Sequence, residues 1–125
     1  MGFFIVFLGG GLGSAIRHGC NIAAFRLVGM GYPFGTFCIN VMGSFLMGAI
    51  TEYFALKAGL SQPLRLFLTT GILGGFTTFS TFSLETGLLY QRGEAGAALI
   101  YAAGSVVVGV GALFAGLAIV RAVAG

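Results

Sequence analysis

Gly71-Ile72-Leu73-Gly74-Gly75-Phe76-Thr77-Thr78-Phe79-Ser80-Thr81-Phe82-Ser83 lies in the middle of a long apolar stretch and governs how the whole chain is read. Two adjacent glycines weaken a helix. The Ser and Thr run that follows offers side-chain hydroxyls that compete with the helical ladder for backbone groups. Irregular backbone at membrane depth survives only where protein buries it or where it lines a polar cavity. In transporters such breaks expose carbonyls and amides that bind ions. The plain alternative is a glycine kink that lets helices pack closely. The density of hydroxyls and phenylalanines goes beyond what a packing kink needs.

The flanks decide the solvent. The chain has 125 residues, of which 58% are hydrophobic and 7% charged: six Lys/Arg, three Glu and no Asp. A soluble domain carries about 25% charged residues, so lipid must be the solvent over most of this surface. The net charge of +3 is small and scattered, which argues against a nucleic-acid partner and fits helix ends held at lipid headgroups. The apolar start, Met1 to Leu12, has no basic leader and no small-residue cleavage site after it, so it reads as a first membrane helix.

A spanning helix needs ~20 apolar residues. Four segments qualify, at about 3–27, 34–56, 64–91 and 95–120, within one domain covering 1–125. The expected fold is therefore an all-α membrane protein of four transmembrane helices, the third broken near the membrane centre. Short connections make consecutive helices antiparallel neighbours. Four such helices make a thin bundle, so a polar pathway argues for self-association. Cytoplasmic loops usually carry the Lys/Arg excess. One side here holds Lys57, Arg65 and Arg121, the other Arg26 and Arg92, with Arg17 deeper. So even a balance leaves two readings: orientation set by another feature, or insertion in both orientations and antiparallel self-pairing.

Several polar residues sit inside the spans. Thr36, Asn40 and Ser44 form a row at i, i+4, i+8 on the second helix. Asn40 offers two amide donors and serves either as glue between helices or as part of an ion path. Phe79 and Phe82 share a helical face among Ser80, Thr81 and Ser83. A ring edge carries positive partial charge, so a small anion can use both edges and hydroxyls. Phe76 falls elsewhere on the break, so Phe76→Ile should be milder than a change at either. Tyr101 and Ser105, four apart, extend the polar set on the fourth helix, where Gly104, Gly109, Gly111 and Gly116 read as close-packing positions. Arg17 either snorkels to the interface or makes a vestibule electropositive. Glu85 is either a proton carrier or an acceptor for nearby hydroxyls. His18 reads as interfacial, and Cys20 and Cys38 as small packing residues. No nucleophile, nucleotide-binding or zinc motif is present, so an enzyme is not expected.

The run from Gly74 to Ser83 followed by Glu85 resembles the signature of the small dual-topology fluoride channels, the Fluc or CrcB family. Gly35-Thr36-x3-Asn40-x2-Gly43 is similar to its second-helix motif, and Leu12-Gly13-x3-Arg17 to its first. The resemblance implies an antiparallel, dual-topology homodimer with two pores in the plasma (inner) membrane. It implies passive, selective export of fluoride that lowers cytoplasmic fluoride toxicity. It further implies a structural Na+ at the dimer axis, held by main-chain carbonyls of Gly74 and Thr77. Phe79 and Phe82 would line the pores, with Asn40 near them. Thr36, Ser80 and Glu85 would lie along the path, and Tyr101 and Ser105 would continue it. Further along the fourth helix the sought polar positions are Gly109 and Ala112, so the outer part of that track is left open.

The main rival is a small four-helix proton-coupled exporter of the multidrug-resistance type. Those proteins use an acid in the first helix and binding-site aromatics that include Trp. This chain has no acid in its first helix and no Trp. A non-transporting assembly subunit would need no hydroxyl-rich break. The loop charges generate a first prediction. Single cysteines placed in the loops of a Cys-free background should each be partly labelled from outside intact cells. Full labelling of one side with none of the other would rule out dual topology.

Overall fold

A computed structural model of the chain describes residues 1–29, 32–57 and 59–125. Among these residues it is all helix, with no strand. Helix α1 spans Gly2–Val28, α2 Phe34–Leu56 and the last helix, α6, Ala95–Ala124. These three are long and apolar enough to cross a membrane. The remaining hydrophobic segment is assembled from pieces: α3 Gln62–Leu66, a π-helical stretch Phe67–Leu73, a short turn α4 Gly74–Phe76, and α5 Phe79–Gln91. The turn at 29–33 expected between the first two helices lies partly outside the described residues.

Local sequence sets the boundaries. Gly29 takes φ 81° and returns its N–H to Phe25 O, which ends α1 in a backbone region that favours glycine. Ser61 starts α3 by accepting from Leu64 N at 3.2 Å, with Pro63 in the first turn where its missing N–H costs nothing. Gly93 at φ 85° turns α5 into α6. The π-helical stretch was not expected from the sequence. A π turn inserts an extra residue into the helix and is a common feature of functional sites.

Register shows how the helices run. Ser44 faces Gly109, Gly48 faces Leu113 and Glu52 meets Arg121, so α2 and α6 run parallel. Gly9 lies against Gly71 and Gly13 against Ile72 and Phe76, so α1 runs parallel to the first half of the broken segment. Asn40 pairs with Thr78 while Gly43 lies on Thr77, which places α2 antiparallel to the broken segment. This is an up-and-down arrangement, as short connections require.

Glycines permit these contacts. A Cβ on Gly13 would collide with Ile72 O, one on Gly75 with Gly10 O, and one on Gly116 with Phe45 O. Such backbone-to-backbone approach is how helices associate in lipid, where no hydrophobic drive exists. Gly104 and Gly111 meet nothing within 4 Å, so of the four α6 glycines expected to pack closely, these two do not do so within the chain. Cys20 packs against the small core of Ile39, Leu73 and Phe76, whereas Cys38 is exposed on α2. Glu52 is 7% exposed and accepts a salt bridge from Arg121 at 3.2 Å, which ties the C-terminal parts of α2 and α6. Their separation of 69 residues hid this pairing from any sequence pattern.

Candidate functional site

The break lies at Thr77 and Thr78, both extended, with φ/ψ of −85°/159° and −153°/123°. In a continuous helix the amide of each residue would bond to the carbonyl four residues earlier. Here Thr78 N donates instead to Asn40 Oδ1 at 2.9 Å, and Asn40 Nδ2 donates to Thr78 O at 3.0 Å. Thr81 N donates to Thr78 Oγ1 at 3.2 Å, so the Thr78 hydroxyl is the N-cap of α5. The amides that would have served Gly74 O and Thr77 O are thus both taken by side chains. Gly75 O is served from α1, by Arg17 Nε at 3.1 Å and Ser14 Oγ at 3.4 Å.

The cap explains why Asn40 stands where it does. Its amide satisfies one donor and one acceptor of the Thr78 backbone that the broken helix leaves without helical partners. Gly43, one turn further on, lets α2 come close enough: a Cβ there would run into Thr77 Cγ2. Asn40 is therefore glue between helices, and one amide hydrogen stays uncommitted by these two bonds.

Two cavities flank this assembly. One, of about 320 Å³, is lined by Asn40, Ser44, Phe79, Phe82 and Ser105 together with Thr77 and Thr78. The other, of about 370 Å³, has Asn21, Thr36, Glu85 and Arg92 among its walls. Between them stands an aromatic and acidic row. The rings of Phe79 and Phe82 are 5.8 Å apart and those of Phe82 and Tyr101 5.2 Å, both tilted. Tyr101 OH donates to Glu85 Oε1 at 3.1 Å. Phe79 is 78% exposed although it sits in the middle of an apolar segment.

The expected site residues thus fall in distinct places. Asn40, Phe79, Phe82 and Ser105 share the first cavity, Thr36 and Glu85 the second, and Tyr101 joins the two through its ring and hydroxyl. Ser80 is exposed at the start of α5, 3.4 Å from the Thr78 hydroxyl, and with Thr81 lines neither cavity. Arg17 lines neither and is bound to the break through Gly75 O. Phe76 is 5% exposed in the core with Ile39 and Leu73, so Phe76→Ile would disturb packing and is not the mild control its position beside the break suggested. Sequence reasoning missed Ser14, Asn21 and the Glu52–Arg121 pair. Ser14, one turn before Arg17, was within reach of a helical-face argument.

A multi-pass, all-α membrane protein with a side-chain-capped helix break between two cavities, each mostly apolar with a few polar groups, has a layout compatible with ion conduction. The chain belongs to the CrcB family: the model described as CrcB-like protein, Camphor Resistance (CrcB), matches residues 4–117. It is 57% identical over 121 residues to the fluoride-specific ion channel FluC 2 of Nitrobacter hamburgensis, covering 97% of this chain and 98% of the relative. It is 55% identical over 123 residues to fluoride-specific ion channel FluC of Rhodopseudomonas palustris, covering 98% and 99%. With fluoride-specific ion channel FluC of Granulibacter bethesdensis the identity is 59% over 121 residues, covering 97% and 95%.

The cap can be tested directly. Asn40→Leu keeps the bulk of the side chain but leaves Thr78 N and O without partners. Each unsatisfied group costs about 1–3 kcal/mol. The variant should melt at a clearly lower temperature than the parent in detergent; an unchanged melting curve would show that the cap contributes nothing.

Proposed function

We propose that this chain is a fluoride-selective channel that lets fluoride leave the cytoplasm passively and so limits its toxicity there. The observation that carries this reading is the cavity that gathers Asn40, the exposed ring of Phe79, Phe82 and the hydroxyl-bearing residues Ser44 and Ser105 beside the break. Fluoride is small and tightly hydrated, so a pore must replace its water with donors. Hydroxyl groups, an amide hydrogen and positive ring edges are such donors. A larger halide would fit a narrow passage poorly. The relatives' names support the same substrate. The exporter alternative has no comparable support, since the family match favours a channel.

We further propose that the working unit is an antiparallel, dual-topology homodimer with two pores in the plasma membrane. A thin bundle with the broken backbone exposed at Gly74 favours a second copy over lipid at that face, because lipid cannot satisfy freed backbone polar groups. A structural Na+ fits at the dimer axis. Gly74 O and Thr77 O have lost their helical donors to Asn40 and Thr78, and uncommitted carbonyl oxygens are the hard donors such a cation takes. Two copies would supply four. Bound there, Na+ would supply positive charge that holds the breaks of both subunits together.

Liposomes containing only the purified protein should release fluoride and retain chloride; absence of fluoride release would end the channel reading. Phe79→Ile and Phe82→Ile should leave a folded dimer but slow fluoride efflux by about tenfold, equivalent to about 1.4 kcal/mol of lost anion stabilisation. Normal conduction by both would remove the ring-edge mechanism.

For the cation, the melting temperature of the purified dimer should fall when Na+ is exchanged for a large organic cation. A ligand present at a hundred times its Kd contributes about 2.7 kcal/mol. Identical melting in the two salts would count against a structural Na+.

A further inference from the structure

We propose that the hydroxyl of Ser44, on α2, is a further anion-solvating group of this pathway, facing the gap that Gly109 leaves in the polar row of α6. The inference rests on the channel reading and adds a residue to it. On α6 the polar positions Tyr101 and Ser105 recur every four residues, and the next member of that face is Gly109, which has no side chain. Across from it, an ideal Cβ on Gly109 would come within 3.9 Å of Ser44 Oγ. On α2, Ser44 lies one turn beyond Asn40 and lines the same cavity as Asn40, Phe82 and Ser105.

The Ser44 hydroxyl is not spent on its own helix, as many serine and threonine hydroxyls in membrane helices are. Such groups usually bond back to the carbonyl four residues earlier. Thr69, Thr77 and Thr86 do so, to Arg65 O at 2.8 Å, Leu73 O at 3.0 Å and Phe82 O at 2.9 Å. Among the described residues Ser44 and Ser105 make no such bond, and Ser105 Oγ is fully buried without a partner. The uncommitted hydroxyl of Ser44, on a residue that lines the cavity, is a donor available to an anion, whereas Ser105 Oγ is closed off in this conformation. Beyond Ser44 the wall turns apolar with Met47 and Leu113, and Gly48 closes on Leu113 O. Ser44 is thus the last hydroxyl on that side.

The test is initial fluoride efflux from liposomes reconstituted with the full-length protein. Ser44→Ala should be slower than the parent by about tenfold, on the scale of one hydrogen bond to a charged species, with unchanged dimer assembly and melting. Adding Gly109→Ser to Ser44→Ala puts a hydroxyl back into the same gap from α6 and should restore most of the rate. Ser44→Thr keeps the hydroxyl in place and should conduct near the parent rate, which preserves the test if Gly109→Ser fails to assemble. Parental efflux by Ser44→Ala overturns the proposal, as does slow efflux that no returned hydroxyl relieves. Failure of the parent itself to release fluoride would instead sink the channel reading on which the proposal stands.

Discussion

Everything in this molecule turns on keeping two consecutive residues, Thr77 and Thr78, extended in the middle of an apolar segment. A helix satisfies its own backbone, and a break does not. In hydrocarbon no water is available to make good the loss. Asn40 answers this with one donor and one acceptor on the same residue, Thr78, at 3.0 and 2.9 Å. Thr78 then caps the helix that follows, and Arg17 and Ser14 serve Gly75 O from the other side. The break is therefore braced from both neighbouring helices and is a defined structure.

That bracing depends on close approach. α1 reaches the break because Gly9, Gly13, Gly71 and Gly75 carry no side chains where the two backbones meet. α2 reaches it because Gly43 lies against Thr77. Further from the break, Gly48 and Gly116 bring α2 and α6 together, and the Glu52–Arg121 pair fastens their ends. Removing Arg121 would leave the nearly buried Glu52 carboxylate without its partner, which is costly.

The capping also creates the chemistry. Once side chains take the amides of Thr78 and Thr81, the carbonyls of Gly74 and Thr77 are released from the helix. The same extended step starts α5 afresh, with Phe79 and Phe82 turned to the cavity that Ser44 and Ser105 share. Oxygen atoms with negative partial charge and donors with positive partial charge thus arise side by side from one backbone event. The first are the kind of group that binds cations, the second the kind that binds anions.

The lipid-facing character, the hydrophobic segments and the place of the break were legible in the chain before any packing was known. Those follow from composition and from local backbone preference, which neighbouring residues decide among themselves. The sequence also marked Asn40, because polar groups are rare in such segments, and Phe79 and Phe82, because they share a helical face among hydroxyls. What they touch is visible only in the packed fold. Asn40 binds the Thr78 backbone across 38 residues, Arg17 the Gly75 carbonyl across 58, and Glu52 meets Arg121 across 69. The packed fold also showed Phe76 to be core and revealed the π-helical stretch and the gap between Gly109 and Ser44. Such contacts depend on helix register and backbone separation, and these are fixed when helices pack, by glycines whose partners lie elsewhere in the chain.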